Sequence, residues 1–175
     1  MVRSRGRREL SRTPGWTQVD TIAGSVSTTT VWSKVATAGD LGGSVSVGFG
    51  GIVHGTLQLI AYSGTDHVHP VAASGKLATT KSSSSEITPV VSAPANGDWV
   101  LSYVTAKSSA VTARTAPASQ TVRSADNGSG AGRVNSLVTD SGGPVAAGPA
   151  GGVTATTDQP AGAATAWTII LAPAS

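Results

Sequence analysis

Hydrophobic and polar positions alternate along this chain in short bursts. Residues 44–49 put Val45, Val47 and Phe49 on one side, a clean period of two. Residues 56–62 set Leu57, Leu59 and Ala61 on one side, expected to face inward, with Ile60 and Tyr62 opposite. Residues 30–36 alternate Val31, Ser33 and Val35 against Trp32, Lys34 and Ala36. In residues 16–22 either Trp16, Gln18, Asp20 and Ile22 or Thr17, Val19 and Thr21 can face the core, so the facing stays open. The same grammar predicts strands at 87–92, 99–105, 111–114, 120–124, 133–140, 152–157 and 166–171.

Turn signals separate these segments: Gly39-Asp40-Leu41-Gly42-Gly43, Gly50-Gly51, Asn96-Gly97-Asp98, Asp126-Asn127-Gly128 and Ser141-Gly142-Gly143-Pro144. About ten strands at short spacing, with no βαβ pattern, predict an all-β antiparallel two-sheet sandwich, jelly-roll-like, over residues 14–175. Residues 74–85, rich in Ser, Thr and Ala, are expected to form the longest loop. A shift of 103 positions lays Thr17-x-Val19 over Gln120-x-Val122, and Ser33-Lys34-Val35 over Ser136-Leu137-Val138. Farther on, Leu57 to Ala61 is similar in character to Trp167 to Leu171. These echoes suggest two halves with one strand-turn order.

Composition supports strands. Apolar residues make up 39% of the 175, but the bulk is Val and Ala, beside many Thr and Ser and 22 glycines. β-Branched side chains suit a pleated surface and glycine suits turns. Of the few large residues, Trp16, Trp32, Trp99 and Trp167 each sit inside an apolar pattern and are expected in the core. No cysteine is present, which removes disulfides, thiol catalysis and thiolate metal sites together. No apolar run approaches the roughly 18 residues of a membrane-spanning helix, so no membrane insertion is expected. No apolar stretch follows the basic N-terminus as in a signal peptide, so export would need lysis, another route or a longer chain.

Charge is uneven. Arg3, Arg5, Arg7, Arg8 and Arg12 against Glu9 make residues 1–12 a +4 segment, while the remainder, seven Lys and Arg against eight Asp and Glu, is nearly neutral. Residues 1–13 therefore read as a basic arm, disordered unless something holds it. With no aromatic residue interleaved, the arm suits phosphate-rich or acidic surfaces and predicts no specific nucleic-acid contact.

Chemical motifs are sparse. Thr139-Asp140-Ser141-Gly142-Gly143-Pro144 resembles the Gly-Asp-Ser-Gly-Gly-Pro box of chymotrypsin-like serine proteases, which would make Ser141 a nucleophile. The match stops there, since His54 lies in Val53-His54-Gly55 and no triad aspartate is recognisable; the same residues make an ordinary turn. Asp66-His67-Val68-His69-Pro70 would aim both imidazoles one way on a strand, but no third metal ligand is nominated, and a solvated loop ending at Pro70 is the plainer reading. Only Glu9 and Glu86 are glutamates, so no carboxylate pair for glycoside cleavage can be chosen. Gly48-Phe49-Gly50-Gly51 lacks the spacing of a phosphate-binding loop. No catalytic residue, cofactor or metal is expected.

Four boxes carry a resemblance: Val31-Trp32-Ser33-Lys34-Val35-Ala36-Thr37-Ala38-Gly39-Asp40, Leu59-Ile60-Ala61-Tyr62-Ser63-Gly64, Asn96-Gly97-Asp98-Trp99-Val100 and Ala166-Trp167-Thr168-Ile169-Ile170-Leu171-Ala172-Pro173. Together they resemble a module of large secreted surface proteins of actinobacteria and of virion surface or minor tail proteins of their phages. The resemblance spans residues 14–175 and leaves the arginine-rich start outside it. It implies a jelly-roll-like sandwich and a surface location, on a virion or extracellular, and carries no catalytic residue. The expected function is non-enzymatic: a decoration, fibre or minor tail module, homo-oligomeric, joined to other virion subunits through the arm. A carbohydrate-binding module is the alternative, with a host-surface glycan as a candidate partner.

Overall fold

A computed structural model describes residues 11–12, 15–49 and 52–175. The described residues form fourteen strands: β1 Ser11–Arg12, β2 Thr17–Ala23, β3 Thr28–Ser33, β4 Val47–Gly48, β5 Val71–Ala78, β6 Ser83–Ile87, β7 Val90–Ala93, β8 Trp99–Lys107, β9 Arg114–Thr115, β10 Thr121–Asp126, β11 Val134–Asp140, β12 Gly148–Gly151, β13 Thr154–Ala161 and β14 Ala164–Leu171. All pairings are antiparallel. The expected all-β sandwich is what the chain builds, and eleven of its strands are four residues or longer.

The first layer is the sheet β10-β11-β8-β14-β5. The second is one broad ribbon: β12 pairs with β7, and β13 with β6 and β9. The β12–β7 and β13–β6 ladders share a register, from Gly148 opposite Ala93 to Thr156 opposite Ser85. At the break between them, the Thr88 N–H donates to the Val153 carbonyl and the Gly152 N–H to the Pro89 carbonyl, so the ladder runs through. Proline has no N–H to offer, which accounts for the interruption there. From β5 to β9 successive segments alternate between the layers. The chain then makes the β10–β11 hairpin in the first layer, crosses through β12 and β13, and returns as β14 between β8 and β5. This is jelly-roll topology.

Three apolar clusters fill the space between layers. Val104, Leu137, Ala155 and Ala166 pack at the centre; Ala106, Val111, Ala161 and Ala164 at one end; Ala93, Val100 and Ile170 at the other. Small residues dominate, so the layers can approach closely.

Two sequence expectations change here. Residues 74–85 are not a loop but the end of β5, a short turn and the start of β6. Small residues are needed there: a Cβ on Gly75 would lie 2.6 Å from Val91 Cγ2. The two-halves expectation also fails. Hairpins β2–β3 and β10–β11 do correspond, and each carries an irregularity near its start. One lies within the five-stranded sheet, however, and the other stands as its own pair. Residues 57–61 have no ladder, whereas their supposed counterpart is β14, paired on both sides with β8 and β5.

The outer face of the first layer is also covered. β14 is buried along almost its whole length, and β11 likewise. A strand buried on both faces reads as a continuous apolar run rather than an alternation, as Ala-Trp-Thr-Ile-Ile-Leu does. Trp167, 0% exposed, points to this outer side, level with Tyr103 and Lys76 on its neighbours. Part of the cover is the β2–β3 hairpin: Lys76 pairs with Asp20 and donates to the Thr21 carbonyl, and the Thr29 and Thr165 hydroxyls lie 2.6 Å apart. The rest is the extended stretch 52–62.

Candidate functional site

Residues 56–62 lie extended across β10 and β11 and are pinned by their even-numbered side chains. The Thr56 hydroxyl donates to Asp126 Oδ2 at 2.9 Å, and Gln58 Nε2 donates to Ser136 Oγ at 2.9 Å. The Ser124 hydroxyl donates to Gln58 Oε1, and the Tyr62 hydroxyl donates to Asp140 Oδ2 at 2.7 Å. The outer face of the sheet offers Asp126, Ser136 and Asp140, so the polar side of the segment turns in. The inward facing expected of Leu57, Leu59 and Ala61 is therefore reversed: Leu57 is 50% and Leu59 58% exposed. Among the described residues, no main-chain hydrogen bond is made by residues 52–62. The strand expected at 44–49 shrinks to Val47–Gly48, where Val47 pairs with Arg12 and Gly48 with Ser11. Phe49 is half exposed, its ring against Gly55.

Asp140 anchors the far end of this segment. Its side chain is fully buried, and it accepts from Tyr62, from Arg123 Nε at 2.5 Å and from the Gly142 N–H at 2.9 Å. Burial alone would raise its pKa, but the bonds from Arg123, Tyr62 and Gly142 outweigh that and hold the carboxyl below its ordinary value. Tyr62 moves the other way: burial, then the adjacent Asp140 carboxylate, push its phenol well above the ordinary value.

The signs fix a pH window. Asp140, lowered in the fold, stabilises it above the unfolded carboxyl pKa of about 3.9 and loses that contribution as pH falls through its folded value. Tyr62, raised in the fold, stabilises below about pH 10, and that contribution is lost as pH rises further. Stability followed by urea titration is therefore expected to decline from about pH 4 downward. Asp140→Asn should flatten that decline without removing it, because Asp40 and Asp158 are each lowered to about 2 by hydrogen bonds to Lys34 and Thr112. An unchanged acid slope in Asp140→Asn would count against the network.

Beside this network opens a cleft of about 280 Å³, lined by Ile60, Tyr62, Ser63, Thr65, Trp99, Arg123, Leu171 and Pro173, among others. Trp99 and Leu171 face each other at the end of the β8–β14 ladder. Tyr62 stands over Trp99 with ring centroids 6.1 Å apart and planes inclined at 54°. Gly64 closes the rim by accepting the Ala174 N–H, and Thr65 bridges to Pro173. The cleft thus joins two aromatic faces, an apolar wall and one cation. Sequence reading placed all four tryptophans in the core. Only Trp167 is fully buried; Trp16, Trp32 and Trp99 are half-buried.

The other sequence candidates fall elsewhere. The Ser141 hydroxyl donates to the Gly143 carbonyl at 2.6 Å and lies 3.3 Å from the Val100 N–H, which ties it to its own turn. Its neighbour Asp140 is committed to Arg123 and Tyr62, and His54 is exposed. His67 and His69 are exposed, and Asp66 Oδ1 accepts the N–H groups of Val68 and His69, closing the expected loop. Among the described residues no three His, Cys, Asp or Glu gather as for a metal, and no helix is long and apolar enough to cross a membrane. Arg3, Arg5, Arg7 and Arg8 lie outside the described residues; of Arg12 only the backbone pairing is described. Compared with protein-family models, with curated proteins and with solved structures, the chain matches none.

Proposed function

We propose that this chain is a non-enzymatic assembly and binding protein of a phage virion surface, a decoration, fibre or minor tail module that self-associates and anchors through its basic arm. The observation that carries it is the stretch 52–59. Leu57 and Leu59 point away from the sheet, Ile52 is fully exposed, and the backbone has no main-chain partner among the described residues. A row of open N–H and C=O groups flanked by apolar side chains is a template for another chain. A second copy of this protein is the occupant that suits it. The end of the arm, Ser11 and Arg12, pairs with Gly48 and Val47. A basic arm on a nearly neutral body suits an acidic shell. The resemblance to actinobacterial surface and phage tail modules supports the same placement.

The full chain is expected to run as a stable oligomer in light scattering. Leu57→Asp with Leu59→Asp should give monomers with an unchanged β-type circular dichroism spectrum. Deleting residues 1–10 should leave the oligomer intact but abolish attachment to virions, read by mass spectrometry of purified particles. A monomeric parent chain would overturn the reading. The second reading, a carbohydrate-binding module, is favoured by one observation, the cleft between Tyr62, Trp99 and Arg123.

A further inference from the structure

The cleft says more about its ligand than that a sugar would fit. Its walls carry a cation and no anion. The lining side chains with polar atoms are Tyr62, Ser63, Thr65, Trp99 and Arg123; none is a carboxylate or an amide. Arg123 is the only charged residue among them. A wall with one fixed positive charge and no carboxylate or amide fits a ligand that brings a negative charge.

Arg123 is held for that purpose. Its Nε donates to Asp140, whose carboxylate lies fully buried beneath and accepts from three donors. A guanidinium fixed through Nε keeps the outer edge of its five-donor fork, the geometry that grips a carboxylate with two parallel bonds. The Arg123 side chain is 37% exposed, so this edge is reachable. Because Asp140 balances its charge, Arg123 does not concentrate anions at random; the ligand must also gain from the aromatic faces and from Leu171 and Pro173. At about 280 Å³ the space is at the small end for ligand pockets and suits a single ring.

We infer that this cleft binds an acidic sugar, a pyranose whose ring lies against Trp99 and Tyr62 and whose carboxylate is held by Arg123. The inference rests on the carbohydrate reading above and names its ligand class.

The test is saturation-transfer NMR with titration, using glucuronate, galacturonate and N-acetylneuraminate against glucose and galactose. At least one acidic sugar is expected to bind the full chain, with the matched neutral sugars at least tenfold weaker. Trp99→Leu should lower affinity for acidic sugars tenfold or more. Arg123→Lys, which keeps a cation beside Asp140 and so protects folding, should lose most of the preference for acids. Equal binding of neutral and acidic sugars would overturn the acidic assignment and leave the glycan reading standing. Binding of neither by folded protein would overturn both.

Discussion

Replacing Glu86 with Gln is expected to destabilise the protein by about 3–5 kcal/mol, measured by chemical denaturation. Glu86 on β6 and Arg114 on β9 form a two-armed ion pair inside the sandwich, each side chain only 2% exposed. Arg114 also donates to the Asn135 carbonyl at 3.3 Å, linking both layers. In water each ion is well solvated; here neither is, and each depends on the other. The amide keeps the shape but removes the counter-charge, leaving a buried guanidinium without a balancing charge. Arg114→Met, which strands Glu86, should cost a similar amount. Replacing both, Glu86→Leu with Arg114→Met, should recover most of the loss, because exchanging a buried ion pair for apolar residues of similar volume is often neutral or better. A loss below about 1 kcal/mol in Glu86→Gln would mean that water reaches the pair.

Neither partner of that pair announced itself in the sequence. Glu86 follows four serines, between the loop expected at 74–85 and the strand expected at 87–92. Arg114 ends the strand expected at 111–114, and β9 begins only there and is two residues long. What was legible was the period of two, as at β8 and β11, where Val100, Ser102, Val104 and Ala106 or Leu137 and Thr139 fall on one side. Strand position follows from local alternation, and the two-layer fold from the number of strands and turns. Side was harder. Leu57 and Leu59 read as inward because an alternation does not say which face has the core; the polar outer face of β10 and β11 decided it. Residues 74–85 were misread because composition marks Ser, Thr and Ala as loop-like. Between close layers, small side chains are what a strand needs. The cleft was hidden for another reason: Tyr62, Trp99 and Arg123 come from distant segments, and only strand order brings them together.

The second large effect is expected at Gly151. Gly151→Ala should cost about 2–5 kcal/mol, and the cause is one carbonyl. Pro89 interrupts the long ladder of the second layer, and its carbonyl takes both the Gly152 N–H and the Thr168 hydroxyl, the latter at 2.6 Å. Thr168 is fully buried on β14, so this bond also joins the two layers. Gly151 passes this point with φ +88, in the region that favours glycine, and an added Cβ would lie 2.3 Å from the Pro89 oxygen and 2.5 Å from Thr168 Oγ1. An alanine there carries the left-handed penalty of about 1–2 kcal/mol. It also drives the strands apart until the buried hydroxyl loses its acceptor, about 1–3 kcal/mol more. Gly143→Ala is the matched control: Gly143 has no positive φ, and a Cβ there meets nothing within 4 Å, so a change within about 0.5 kcal/mol is expected. Equal denaturation midpoints for the two variants would show that the crossing at Pro89 yields to a methyl group. The second layer would then be two independent ribbons rather than one.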